Sequence, residues 1–471
     1  MDPPKPALNP RVAIIGGGLA GLAAAAALVD ADVSVELFEG RSQLGGRAAS
    51  FLDADSGERI DHCQHVSMGC CTNLADFFMR AGAEDLFRRD RVLHWIAPDG
   101  RQFDLGAWAF PSPLHLAPGL WGLKYLRVRE RIGIARALLA MARTPADRFS
   151  PETTMGGWLA DRKQSANSIA GFWQPILISA LADTLDRISY AAARKVFVDG
   201  FMANRESYVV EVPRVPLTEL YDRRIGDWLA SRGVIVHRQT QVRVVHADGE
   251  VVLADGTPLR FDQCVLAVPW HKLGQIVEGG ADVLGQHAAL AVKLEPSPIT
   301  AVHLWFDRPI TDLPHAVLVD RMSQWIFRGE VEHNAGAAPT HYYQVVISGS
   351  RSLAEEERAA IVEQVCAELA EVWPAARNAV LVKSRVITDR NAVFSPQPGH
   401  EALRPSAKTE LDNVFLAGDW TATGWPATME GAVRSGYLAA QAVLDSLGRP
   451  KKIVVDERPR QWLARWLIRD D

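Results

Sequence analysis

Three groups of residues in this chain have types and spacings suited to chemistry. The first is Gly16, Gly18 and Gly21 in RVAIIGGGLAGLAAAAAL, a G-x-G-x-x-G spacing directly after an apolar run. Bare backbone there lets a diphosphate approach closely and rest at a helix N-terminus, where unpaired N–H groups and the helix dipole favour an anion. Glu39 closes VSVELFE about 20 residues on, where a ribose-binding acid is expected, and an acid favours an unphosphorylated ribose. Taken alone, these residues indicate a dinucleotide and nothing finer. The second group, Asp61-His62-Cys63-Gln64-His65, sets a carboxyl, two imidazoles and a thiol side by side. Such groups move protons: imidazole titrates near neutral pH, and a carboxyl can orient it or act as the acid itself. The third is VFLAGDWTATGWPATMEGAVRSG near the other end, which holds Gly418, Asp419, Thr428, Met429 and Glu430.

The scaffold has to bring these distant stretches together. A strand at Arg11 to Ile15 and an Ala-rich helix frame the first group. A short apolar strand, Val414 to Ala417, then a loop and a helix from about Thr428 frame the third. Residues 76–225 read as mostly helical, whereas Val234 to Pro269 reads as strands with a turn at Asp248-Gly249. Strands such as ITAVHLWF, HAVLVD, SQWIF and HYYQVVIS in 276–404 suit an antiparallel sheet. A helix follows them, with Ser352 and Glu355 as a capping box, Cys366 facing inward and Pro374 as its stop. The fold class is therefore α/β. A discontinuous Rossmann-like domain takes 1–75 and 405–450 and, as the family resemblance given below implies, 226–275; it carries an α+β substrate domain built from two insertions (76–225 and 276–404), and a tail spans 451–471.

Composition sets limits. A chain of 471 residues is too long for one core, and 48% hydrophobic with 23% charged residues marks it as globular. The net charge of -5 gives no support for nucleic-acid binding. Five cysteines (63, 70, 71, 264 and 366) show no zinc spacing, so no metal is expected and a reducing, cytoplasmic compartment fits. The Pro-rich MDPPKPALNP lacks the apolar stretch of a secretory signal, and no run of about eighteen apolar residues suggests a membrane span.

Downstream of Glu39, the run Arg41-Ser-Gln-Leu-Gly45-Gly46-Arg47 resembles the second glycine signature, E-x-R-x-x-x-G-G-R, of the flavin amine oxidase and carotenoid desaturase superfamily. Over almost its whole length the chain resembles the squalene-associated FAD-dependent desaturases, the hydroxysqualene dehydroxylases, among the phytoene desaturase-like flavoproteins. The pieces that carry this are Asp61 to Val66, Gln324-Trp325, Gly418 to Thr421 and Pro426 to Gly431. The resemblance implies FAD in a GR2-type domain, with Gly45, Gly46 and Arg47 along its pyrophosphate and Asp419 by the ribityl and pyrophosphate. It also implies the Val242 region by the adenine, and the helix start at Thr428, Met429 and Glu430 by the N1/O2 edge of the ring. Glu430 reads equally as an acid stabilised by that helix dipole. The implied reaction replaces the hydroxyl of hydroxysqualene with hydride from reduced FAD, giving squalene for hopanoid or sterol synthesis. Where the family usually has D-N-G-Q-H, this chain has D-H-C-Q-H, so His62 and Cys63 stand in a loop expected beside the flavin ring.

Such a reaction needs an acid to release water and aromatic faces to stabilise an allylic cation. His65 is the first candidate donor and Asp61 the second, unless the pair only braces the loop. Cys63 either tunes the flavin or packs inertly. Trp305, Trp325 and Trp425 either line the cavity or belong to the core. An isoprenoid substrate must be collected from a membrane, which predicts a peripheral protein on the inner face. Two segments could dock there: residues 103–143, and the tail RPRQWLARWLIRDD with Trp462, Trp466, Arg458, Arg465 and Arg469. A carotenoid-type desaturase or isomerase and a non-catalytic isoprenoid-binding flavoprotein are the alternatives. No second dinucleotide motif identifies the electron donor.

Overall fold

Short apolar strands from distant parts of the chain form one five-stranded parallel sheet, in the order Ile235–His237, Ser34–Phe38, Arg11–Ile15, Gln263–Leu266, Val414–Leu416. A parallel sheet is buried on both faces, so its strands are apolar throughout. Val12, Ile14 and Val265 join the helices of one face, while Ala13, Ile15 and Leu266 join a core with Val251, Phe261 and Trp270 on the other. The first face is covered by helices Leu19–Val29 and Met429–Ser446. Their close approach depends on small residues: a Cβ placed on Gly436 would lie 2.2 Å from the Ala20 carbonyl oxygen. The computed structural model behind this description covers residues 10–54, 57–329 and 340–470. The Pro-rich N-terminal stretch therefore lies outside the described residues.

Strands do run through the stretch from Val234 to Pro269. Besides two members of the parallel sheet, it holds an antiparallel trio, Val242–Val245, Glu250–Leu253 and Pro258–Arg260, turned at Gly249 with φ +86°. A seven-stranded sheet forms the other layer, in the order Leu381–Phe394, Pro296–Phe306, His341–Ser348, Trp325–Arg328, His315–Leu318, Val92–Ile96, Gln102–Gly106. Alternation divides its faces. Val302, Leu304, Tyr343 and Val345 pack on helix Arg358–Val372, whereas His303, Trp305, Tyr342 and Gln344 occupy the opposite face.

Some local expectations need correction. Residues 76–225 do contain helices such as Val128–Arg143 and Tyr190–Phe197, yet Val92–Ile96 and Gln102–Gly106 leave that stretch to complete the seven-stranded sheet. Each of these strands is only five residues long, too short for a clear period-two signal. Ser352 and Glu355 make no capping box: Ser352 sits in a separate turn, Arg351–Leu353, and the helix starts at Arg358 with no side-chain cap. It stops at Val372, just before Pro374, which opens the short helix Pro374–Asn378. The tail lies on the molecule's own surface and becomes helical only over Trp462–Leu467. Ala464 and Ile468 pack with Ala142, Val198 and Met202, leaving Trp462 and Trp466 outermost. Among the described residues, no helix is long and apolar enough to cross a membrane.

Candidate functional site

In an open α/β sheet, ligands bind beyond the carboxyl ends of the strands. Here the first strand ends at Ile15 and turns at Gly16, with φ +113°. A Cβ on Gly21 would stand 2.0 Å from the Gly16 carbonyl oxygen, so the helix can start only against bare backbone. Gly18 is its N-cap residue and supplies no side chain, leaving the first-turn N–H groups for an anion. The second glycine signature closes onto the first. Gly45 N–H donates to the Gly17 carbonyl (2.8 Å), and a Cβ on Gly46 would stand 3.0 Å from Gly18 Cα.

Glu39 is buried, with one carboxylate oxygen accepting from Gly17 N–H (2.9 Å) and the other from Arg41 N–H (2.7 Å). Each oxygen keeps a lone pair for further donors such as sugar hydroxyls. Thr240 N–H donates to the Glu39 carbonyl (2.9 Å), which brings the segment before Val242 beside this acid; the Val242 side chain itself is buried in the core. Arg41 reaches the Gly46 carbonyl (3.3 Å).

Arg47 links the two ends of the chain. Its guanidinium donates to Asp419 Oδ1 (2.6 Å) and to the Ala392 carbonyl (2.6 Å). Burial opposes its charge, but Asp419 outweighs that and holds the guanidinium firmly protonated. Gly418 N–H donates to Ser435 Oγ (2.7 Å), fixing the strand end against the last long helix. Thr428 caps that helix by accepting from Gly431 N–H (3.1 Å), and Tyr221 donates to Met429 Sδ (3.4 Å). Glu430 starts the helix, but its carboxylate turns to another one, accepting from Asn73 N–H (3.1 Å), Asn73 Nδ2 (2.8 Å) and Leu74 N–H (2.8 Å). Burial raises its pKa against the pull of these donors.

The Asp61–His65 loop crosses toward the seven-stranded sheet, on the face away from its helix. Asp61 accepts from Ser50 Oγ (2.7 Å) and Leu217 N–H (2.9 Å), but burial dominates and pushes its carboxyl up to about 6. Burial also pushes the Cys63 thiol up to about 12, so it stays protonated. His65 is driven the other way by burial and stays neutral. With Nδ1 2.8 Å from the Cys63 carbonyl, which can only accept, the ring proton sits on Nδ1 and Nε2 is left as an acceptor. Facing the loop, Tyr342 pairs with His303 Nδ1 (2.7 Å); the His303 ring stacks with those of Tyr342 and Trp305, which are tilted against each other. Lys383 lies over Trp305 and pairs with the fully buried Asp53. Trp325 donates to Ser179 (2.7 Å), while Trp425 donates to Glu457 (3.2 Å) beneath Lys195.

Several of these partners escaped sequence reasoning. Arg404 binds the carbonyls of Asp419 (3.1 Å) and Thr421 (2.5 Å) and the Thr423 hydroxyl (3.0 Å), which shapes the C-terminal loop. Asn73, His303, Tyr342 and Glu457 belong to no motif and reach their partners only through the fold. A single sequence carries no signal for them.

The bare cradle, the buried acid and Arg47 suit a dinucleotide whose diphosphate lies on the Gly16–Gly21 turn. Solved structures share this architecture. A putrescine oxidase variant matches with TM-score 0.68 at 16% identity, covering 94% of this chain and 100% of that one. A cyclohexylamine oxidase from Brevibacterium oxydans matches with TM-score 0.67 at 19% identity, with the same coverage of both chains. Among characterised relatives, a zeta-carotene desaturase from Synechocystis sp. is 25% identical over 94% of this chain and 99% of its own. A hydroxysqualene dehydroxylase from Rhodopseudomonas palustris is 26% identical over 93% and 99%, respectively. The family model described as flavin containing amine oxidoreductase matches residues 19–444, from the first helix through the last long one; the chain belongs to that family and is an FAD-dependent oxidoreductase.

Proposed function

We propose that the protein acts on an isoprenoid lipid, replacing the hydroxyl of hydroxysqualene with hydride to give squalene. One observation carries the reading: a half-buried carboxyl, poorly hydrated and with its pKa raised to about 6, lies in a loop facing an aromatic sheet face. The Rhodopseudomonas relative is named for this reaction and matches along nearly its full length. When bound, FAD supplies the hydride. Glu39, Gly18, Gly45, Gly46, Arg47 and Asp419 would hold it, with the helix start at Thr428 and Met429 beside its ring.

The protein's own part is to release water and to steady the cation left behind. Asp61, with its pKa near 6, is the group that can give the hydroxyl a proton. His65 takes a different role from the one its position first suggests. As a neutral ring with Nε2 accepting, it orients the hydroxyl instead of protonating it. Cys63, held as a thiol, has no nucleophilic part. Trp305, which is buried, and the half-buried Tyr342 and Trp325 offer π faces to an allylic cation.

A second reading, carotenoid-type desaturation, is favoured by the Synechocystis relative at nearly the same identity. An anaerobic single turnover separates the two. Reduced protein is mixed with hydroxysqualene while flavin absorbance near ~450 nm and squalene are followed together. Equimolar squalene with flavin reoxidation is the expected result. If neither signal changes with FAD bound, dehydroxylation is rejected.

The same reading places the protein peripherally on the inner face of the membrane that holds its substrate. Supporting this, Trp108 (61% exposed), Trp121 (46%), Trp462 (70%) and Trp466 (74%) all lie in the two segments suited to docking. Those segments adjoin, since Ser112 N–H donates to Gln461 Oε1 (2.7 Å) and both segments bond the Ala203 carbonyl.

A further inference from the structure

Beside the two tail tryptophans lies a concavity of about 570 Å³, lined by Arg143, Thr144, Pro145, Arg148, Arg465, Ile468, Arg469 and Asp470. Four arginines on one small hollow repel one another, and a folded surface normally offsets that with carboxylates. Among the described residues the offset is slight: no ion pair is formed by Arg143, Arg148 or Arg469, and Arg465 Nε donates only to the Arg460 carbonyl (2.8 Å). Among the described residues the one acid on the rim, Asp470, is already paired with Arg460 (2.7 Å), and Asp147 adjoins Arg148 outside the hollow.

The hollow's position is fixed. Its walls are the end of helix Val128–Arg143 and the tail, joined by the Arg469 N–H to Ala142 carbonyl bond (2.9 Å) and by Arg194 donating to the Arg469 carbonyl (2.5 Å). Trp462, Trp466 and Arg465 all belong to the short helix Trp462–Leu467, so the exposed indoles rise from the element that forms one wall of the hollow. Indoles settle at the headgroup level of a bilayer, and guanidinium groups pair with phosphate in bidentate fashion.

We propose that this hollow is a headgroup site, binding the phosphate of an anionic glycerophospholipid while Trp462 and Trp466 enter the interface. The inference rests on the peripheral-membrane reading above and adds a lipid preference to it. An amphipathic tail alone would bind any bilayer. A pocket with four guanidinium groups selects negative headgroups, and its contribution weakens with salt.

The test uses the full-length, FAD-loaded protein in co-sedimentation with phosphatidylcholine vesicles, with and without phosphatidylglycerol. The wild type is expected to prefer the anionic vesicles. The triple variant Arg143→Gln, Arg148→Gln, Arg465→Gln should lose roughly fivefold in partitioning per charge, about two orders of magnitude in all. It should keep its flavin spectrum, because all three side chains are exposed. Trp462→Ser with Trp466→Ser should weaken binding to both vesicle types while leaving the anionic preference. If the triple variant keeps that preference, the headgroup site is wrong. Should glycerol phosphate bind the wild type in titration calorimetry and not the triple variant, while both sediment equally with anionic vesicles, the hollow takes a soluble phosphate and the proposal falls. If the wild type sediments with neither vesicle, the peripheral reading itself fails.

Discussion

Asp61 and His65 lie in one loop, and burial drives their protonation in opposite senses. Asp61 becomes a carboxyl that still holds its proton near pH 6, and His65 a ring that stays neutral. Asp61→Asn should therefore slow single-turnover dehydroxylation by roughly 100-fold or more. His65→Ala should weaken substrate positioning, with a smaller loss that is not steeper at high pH. Equal rates for Asp61→Asn and wild type would remove the carboxyl from the reaction. The same residue predicts a stability signature. Its folded pKa stands above the ordinary value of 3.8, so the protonated form favours folding. That contribution is complete below about pH 4 and is lost as pH rises through about 6. Relative to the wild type, Asp61→Asn should then gain roughly 3 kcal/mol between those limits, readable from urea midpoints at two pH values. A constant difference would mean that the carboxyl titrates normally.

At the scale of elements, the helix Met429–Ser446 does two things besides the cofactor role proposed for its start. Glu430 at its start holds the N-terminus of helix Thr72–Arg80, accepting three N–H bonds in a dry setting. Glu430→Ala strands those donors and should cost about 3–5 kcal/mol, with loss of FAD as a consequence. A variant that unfolds at the wild-type urea concentration would show that water replaces the carboxylate freely. Gly436 lets the same helix lie against helix Leu19–Val29, and Gly436→Val should cost about 1–3 kcal/mol by forcing them apart. Thermal melts and bound-flavin content report both. The sequence made much of this element legible: Gly418-Asp419, the helix start and the two glycine signatures stand in patterned runs. Glu430 shows the limit, because its spacing fits a flavin edge and a helix cap equally and only Asn73, more than half the chain away, decides where the side chain turns. Likewise Trp305, Tyr342 and His303 become one face only once strand register is set. The tail's six-residue helix was hidden because its period-four Trp and Leu pairs suggest a longer one.

Across the whole molecule, the proposed cofactor site is the place where otherwise separate lengths of chain converge. The Gly16–Gly21 turn, the Glu39–Arg47 segment and the Gly418–Glu430 loop meet there, held to one another by Gly45 to Gly17, by Gly17 to Glu39 and by Arg47 to Asp419. No side chain caps the start of helix Leu19–Val29, so its first N–H groups are left for a diphosphate. The seven-stranded sheet has its own core with helix Arg358–Val372 and owes the cofactor little. Removing FAD should accordingly loosen the molecule unevenly. With FAD at about a thousand times its Kd, the holoprotein should stand about 4 kcal/mol above the apoprotein. Hydrogen exchange should locate that difference in the three converging segments and in the Asp61–His65 loop, while strands Pro296–Phe306 and His341–Ser348 keep their protection. If protection fell equally in both layers, the two would unfold as one unit, and the cofactor would be holding the substrate sheet as well as its own cradle.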